Sequence, residues 1–131
     1  MVMDKAEGDG GTTREVLIVE DDLDIRDTLS QILEFEGYRV HGAENGKEAL
    51  AKLRNGSRPG LILLDLMMPV MDGWQFRVEQ KKDETLSNIP VVIISADGRA
   101  GQKANEIGAV GYLMKPVELE TLIRTVVRHC K

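Results

Sequence analysis

The stretch LILLDLMMPVMDG, residues 61–73, sets the reading of the chain. Its four leading apolar residues suit a short strand covered on both faces. The run then stops on a carboxylate, Asp65, and seven residues later Asp72 stands where the N-cap of a helix belongs. A buried strand that ends on an acid calls for a physical reason, and the rest of the chain supplies it.

The same short apolar run recurs as VLIV at 16–19, YRV at 38–40, VVII at 91–94 and VGYLM at 110–114. Between these runs lie segments with helical spacing: Ile25, Leu29, Ile32 and Leu33; then Ala49, Leu50 and Leu53; and last Leu119, Leu122, Ile123 and Val126. Asp22 and Asn45 sit at further N-cap positions, while Gly37, Gly56 and Gly108 fall just after helical patterns, where a residue free to take positive φ ends a helix. Trp74 is placed at the start of a helix. The segment 98–107 offers only Ala100, Ala104 and Ile107 on its inner face. Five strands alternating with five helices predict an α/β fold, a doubly wound five-stranded parallel sheet covered on both faces with right-handed crossovers.

With 131 residues and 42% hydrophobic composition, the chain has material for one core and too little length for two ordinary domains. The expected domain runs over 15–131, preceded by a Gly-, Asp- and Thr-rich segment, 1–14, expected to be a flexible tail. No apolar run approaches the roughly 20 residues needed to cross a bilayer, and the start lacks the apolar centre of a signal peptide, so a cytoplasmic protein without membrane contact is expected. A formal charge of −5 argues against non-specific nucleic-acid binding, which needs basic surface. The lone Cys130 has no internal disulfide partner and reads as incidental. Arg124, Arg128 and Lys131 are expected on a solvated helix face, His41 and His129 at the surface, and Met67 and Met68 in apolar loop packing.

In an open parallel sheet the ligand site lies beyond the carboxyl ends of the strands. Glu20, Asp21 and Asp22 follow the first apolar run, Asp65 the third, Ser95 the fourth, and Lys115 with Pro116 the fifth. Taken singly, each acid could simply end a strand or cap a helix, and Asp22 is read as such a cap. Together they are different: two carboxylates about 4 Å apart repel by roughly 4 kcal/mol at an effective dielectric near 20, so Glu20, Asp21 and Asp65 need a cation. An all-oxygen donor set selects a hard ion, Mg²⁺ with Mn²⁺ as a substitute. With the Lys115 ammonium and the Ser95 hydroxyl, the edge suits a phosphoryl group, with one carboxylate as its nucleophile.

The elements VEDD after the first run, DLMMPVMDG around Asp65, ISA at 94–96 and GYLMKP at 111–116 resemble the receiver domain of bacterial two-component response regulators over residues 15–130. The resemblance implies a flavodoxin-like sheet order of 2-1-3-4-5. It implies that Asp65 accepts a phosphoryl group from a histidine kinase or histidine phosphotransfer protein. Asp21 would bind Mg²⁺ directly, Glu20 mainly through water, and Met67 would lend its backbone carbonyl. Lys115 would pair with the phosphoryl group, Ser95 would hydrogen-bond it, Tyr112 would be the aromatic switch, and Pro116 would carry a cis peptide bond. Met67 and Asp97 occupy places that influence phosphoryl lifetime. The downstream target would bind the face made by the fourth helix, fifth strand and fifth helix, in a stand-alone regulator or a receiver belonging to a larger protein such as a hybrid kinase.

Other classes fit less well. An aspartate-dependent phosphatase places a second acid two residues after the first, where this chain has Met67. A flavin or nucleotide binder needs a Gly-, Ser- or Thr-rich cradle after the first strand, and EDDLD offers an acidic wall. A constitutive scaffold would have no use for the full set of strand-end groups.

Overall fold

Residues Leu61–Asp65 form a strand in which every residue is buried. In the computed structural model, which describes residues 14–131, this strand lies at the centre of a five-stranded parallel sheet. The strands are β1 (Glu15–Val19), β2 (Arg39–Ala43), β3 (Leu61–Asp65), β4 (Val91–Ser95) and β5 (Gly111–Met114), ordered β2-β1-β3-β4-β5. The helices are α1 (Leu23–Phe35), α2 (Gly46–Arg54), α3 (Gly73–Lys82), α4 (Ala100–Ile107) and α5 (Leu119–His129). This is the expected doubly wound order of the flavodoxin-like topology. The expected tail lies outside the described residues apart from Arg14.

Strand alternation divides the core in two. Leu17, Val19, Ile62, Leu64 and Ile93 face one side, where α2 and α3 cover them through Ala49, Leu50, Leu53 and Phe76, and α4 through Ala104 and Ile107. Val16, Ile18, Leu61, Leu63, Val92, Ile94 and Leu113 face the other, against Leu29 and Leu33 of α1 and Leu122 and Val126 of α5. Each such fully buried aliphatic side chain contributes roughly 1.5–3 kcal/mol, so the two apolar layers hold the strand ends in register. Register is what matters for the site: Val19 pairs with Leu64 and with Ala43, Asp65 with Ile94, and Ser95 with Met114.

The caps form as the residue types dictate. Asp22, Asn45 and Asp72 accept backbone N–H groups of Ile25, Glu48 and Gln75, and Gln75 returns the contact to complete a capping box. Gly108 ends α4 in the left-handed region at φ +75°. Some boundaries depart from the apolar pattern. β2 spans Arg39–Ala43 rather than 38–40, because an edge strand paired only to β1 keeps half-exposed polar positions and shows no continuous apolar run. Val110 lies just before β5, and Leu119 is exposed in the first turn of α5, so that helix buries Leu122 and Val126 instead. His41 and His129 lie half-buried at the surface, and His41 Nε2 sits 3.1 Å from the Glu15 carboxylate.

A polar strap fastens α4 at its far end. Arg77 of α3 donates to Ile107 O at 2.9 Å, to Gly108 O at 2.8 Å and to Gln80 Oε1 at 2.8 Å. Gln80, wholly buried, passes its Nε2 hydrogens to Leu86 O and Ile89 O. The guanidinium thus satisfies C-terminal carbonyls of α4 and lies at the negative end of its dipole. Arg77→Met should leave these acceptors unpaired and lower stability by about 2 kcal/mol in equilibrium urea unfolding, with the transition still cooperative.

Candidate functional site

At the carboxyl edge the chain turns three times within a short distance. After β1, Glu20 N still donates to Ala43 O at 3.0 Å, so the backbone keeps strand pairing while the Glu20 side chain turns inward and is fully buried. Its Oε2 accepts the Asp22 N–H at 3.1 Å. Asp22 itself caps α1, and Asp21, between them, is exposed at the mouth. At the end of β3, Asp65 stays buried with Oδ1 accepting the Met67 N–H at 3.2 Å. The close return of the chain behind it depends on Gly73, where a Cβ would lie 2.8 Å from Asp65 O and from Leu66 Cα. The loop between them tightens at Val70, a β-branched residue at φ +69°, bridged by a 2.7 Å hydrogen bond from Met71 N to Pro69 O.

Lys115 follows β5 and extends the sheet by donating its N–H to Ser95 O at 2.9 Å. Its Nζ reaches back to lie 2.9 Å from Glu20 Oε1 and 3.3 Å from Asp65 Oδ2. The following Lys115–Pro116 bond is cis. Ser95, nearly buried, accepts the Asp97 N–H on its Oγ at 3.0 Å, which leaves the hydroxyl hydrogen free to donate. Tyr112 stands apart on β5, half-exposed, with its ring edge over Gly101 of α4.

The expected residues therefore gather as a unit: oxygens of Glu20, Asp21 and Asp65 all lie within 4.8 Å of one another, with Lys115 against two of them. If all three carboxylates ionise, three negative charges meet one ammonium. Partial burial disfavours the Lys115 charge, but the Glu20 and Asp65 carboxylates outweigh it and raise its pKa above the ordinary lysine value. Asp21 is shifted up as well, by burial and then by the neighbouring Glu20 carboxylate. Glu20 Oε1 is buried with an ion-pair partner in Lys115 yet no aligned hydrogen bond. An oxygen-only donor set, a surplus of negative charge and an underused buried carboxylate oxygen fit a hard divalent cation such as Mg²⁺.

Two features escape the strand-end reading. Met67 is 75% exposed, so it does not pack in the loop, whereas Met68 does pack on the core. Arg26 of α1 donates to Glu20 O at 2.6 Å, its stem laid against Gly42, where a Cβ would come within 3.0 Å of Arg26 Cδ. A guanidinium inside an amphipathic helix looks solvated from periodicity alone, and only the packing of α1 on β2 brings it to the acidic loop.

A family profile for the response regulator receiver domain matches residues 16–127. Protein PilH of Pseudomonas aeruginosa is 36% identical over 113 residues, 85% of this chain and 93% of that protein. The probable transcriptional regulator ycf27 of Pyropia yezoensis is 39% identical over 120 residues, covering 88% of this chain and 48% of its own length. The chain thus spans about half the length of several curated relatives it matches. Among solved structures, the chemotaxis response regulator CheY4 of Vibrio cholerae superposes with a TM-score of 0.81 at 34% identity, over 89% of this chain and 98% of that one.

The raised Asp21 pKa carries a stability consequence. Because the folded state resists ionising this carboxyl, the cost is full above the folded pKa and vanishes below the unfolded value near 3.8. Without divalent metal, Asp21→Asn should be slightly more stable than the parent at pH 7, with the gap closing as pH falls through that window. Millimolar Mg²⁺ should reverse the order, since only the parent keeps the full donor set; thermal unfolding across pH, with and without Mg²⁺, reads both effects.

Proposed function

The chain belongs to the response regulator receiver domain family, and on that premise we propose that it is a phosphoacceptor in histidine-to-aspartate signalling, with Asp65 as the residue that takes the phosphoryl group. The observation that carries this reading is the Asp65 carboxylate, buried at the end of the central strand and faced by Lys115, Glu20 and Asp21. A carboxylate so placed is fixed in direction and shielded from bulk water, yet open toward the acidic mouth where Asp21 is exposed.

In the transfer, an Asp65 oxygen attacks the phosphorus of a phosphohistidine on a histidine kinase or histidine phosphotransfer protein. The new O–P bond forms as the P–N bond breaks, and the imidazole leaves with the electron pair and takes up a proton. Asp21, Glu20, Asp65 and the Met67 carbonyl would hold Mg²⁺, for which Mn²⁺ can substitute. When bound, that ion supplies positive charge against the carboxylates and the phosphoryl oxygens. Lys115, already balanced between Glu20 and Asp65, pairs with one oxygen of the incoming group. The free Ser95 hydroxyl hydrogen turns toward another. Attack of water on the phosphorus, breaking the O–P bond to Asp65, gives self-dephosphorylation as a secondary activity, and Met67 and Asp97 occupy the positions that influence its rate.

The readout follows from the position of Tyr112, half-exposed on β5 beside α4. The face formed by α4, β5 and α5 is the proposed contact for a downstream protein, in a stand-alone regulator or as one part of a longer signalling protein. A cytoplasmic setting accords with this chemistry, and no helix among the described residues is long and apolar enough to cross a membrane. An aspartate-dependent phosphatase is disfavoured, since Met67 offers no second acid.

Incubation with acetyl phosphate and Mg²⁺ should add a single phosphoryl group to the parent protein, seen by intact mass. Asp65→Asn should stay folded and gain none. Equal labelling of both proteins would place the acceptor elsewhere.

A further inference from the structure

The two ends of α4 are held by different means, and only one of them touches the phosphoacceptor edge. The C-terminal end is strapped by Arg77 to α3. The N-terminal end has no side-chain cap on its own N-cap residue, Arg99. Asp97, two residues earlier, serves instead. Its Oδ1 accepts the Arg99 N–H at 2.8 Å, its Oδ2 accepts from Lys103 Nζ at 2.7 Å, and its carbonyl accepts the Ala100 N–H at 3.1 Å. The backbone N–H of the same residue donates to Ser95 Oγ at 3.0 Å. The hydrogen bonds from the Lys103 side chain and the Arg99 amide hold the Asp97 carboxyl well below the usual carboxylate range, so the lock is charged at neutral pH. On the other flank of this turn, Gly101 makes room for the Tyr112 ring: a Cβ there would lie 3.2 Å from Cε1 and 3.5 Å from Cζ.

We propose that Asp97 is a positioning residue that couples Ser95 to Tyr112 through the first turn of α4, with Lys103 as the partner that keeps the coupling tight. When Ser95 Oγ turns toward a phosphoryl group on Asp65, the Asp97 N–H loses its acceptor. Asp97 then moves, and its carboxylate carries the Arg99 amide and the Lys103 ammonium with it. Residues 100–103 shift as one turn, altering the seat on which the Tyr112 ring rests. Because Arg77 keeps the far end in place, α4 tilts about that end rather than leaving the sheet. The Tyr112 response therefore depends on an ion pair that contacts neither the phosphoacceptor nor Tyr112.

The phosphoryl step rests on the reading of Asp65 given above, but the lock itself exists without it and is tested first in unphosphorylated, Mg²⁺-free protein over residues 1–131. Lys103→Met should speed amide hydrogen exchange at 100–103 by roughly two- to fivefold, the scale of one surface ion pair, and should shift the Tyr112 ring signals in NMR spectra. Exchange at Gly108 and Ala109, beyond the Arg77 strap, should not change. Lys103→Arg should restore the parent behaviour, which a general loss of packing would not allow. Asp97→Asn, which also loses the Arg99 side-chain contact at 3.5 Å, should have at least the effect of Lys103→Met, and adding Lys103→Met to it should change nothing further. With acetyl phosphate and Mg²⁺, the phosphorylation-induced shifts at Tyr112 should then shrink in Lys103→Met relative to the parent. Tyr112 signals unmoved in unphosphorylated Lys103→Met, or no rescue by Lys103→Arg, would overturn the coupling. If those arms behave as expected but acetyl phosphate labels neither protein, the lock stands and the Asp65 reading fails.

Discussion

One ammonium between two carboxylates organises the carboxyl edge of this sheet. Lys115 Nζ lies 2.9 Å from Glu20 and 3.3 Å from Asp65, and both acids are buried. Buried carboxylates are costly unless paired, and one cation cannot neutralise three acids. The residual charge, together with the underused Glu20 Oε1, suits the pocket to further positive charge such as a hard divalent cation. The apolar layers below must tolerate this uneven charge. They can, because both faces of β1, β3 and β4 are filled and the strand ends have little freedom to spread.

The parallel topology explains why these groups meet at all. Residues 20, 65, 95 and 115 are far apart in the chain, but each ends or directly follows a strand, and all strands point the same way. Hydrogen bonds continue the ladder past the strands proper, from Glu20 N to Ala43 O and from Lys115 N to Ser95 O, so the functional residues leave the sheet in register. Gly73 then lets the chain fold back over Asp65 at a distance no other residue could accept. The tight turn at Val70 lies in the same loop, where a backbone in a sparsely populated region is held by the structure on either side.

Stability is distributed unevenly around that edge. α2 and α3 start from side-chain caps of their own, whereas the N-cap residue of α4 supplies none and that helix takes restraints from α3 at one end and from the β4 loop at the other. A helix end held by hydrogen bonds from a neighbouring loop is one whose position a small change in hydrogen bonding can bias. Its neighbour β5 is the sheet's other edge strand and exposes Tyr112 and Met114, so a shift of α4 changes a surface rather than the core.

The sequence by itself determined the elements that carry strong local signals. Runs of four apolar residues read as buried strands, Asp22, Asn45 and Asp72 as caps, and the acids, hydroxyl and lysine after the runs as one edge, because burial on both faces and capping chemistry act within a few residues. Tertiary structure decided what depends on who lies alongside. The length of β2 was set by pairing with β1, since a one-sided edge strand has no apolar run to display. The exposure of Leu119 and Met67 followed from where the sheet ends, not from their hydropathy. Arg26 and Arg77 carry no local signal of a partner, and only packing brings one to the Glu20 carbonyl and the other to the end of α4. A long cationic side chain can reach partners in any direction, so its role is fixed only when the neighbouring backbone acceptors are in place.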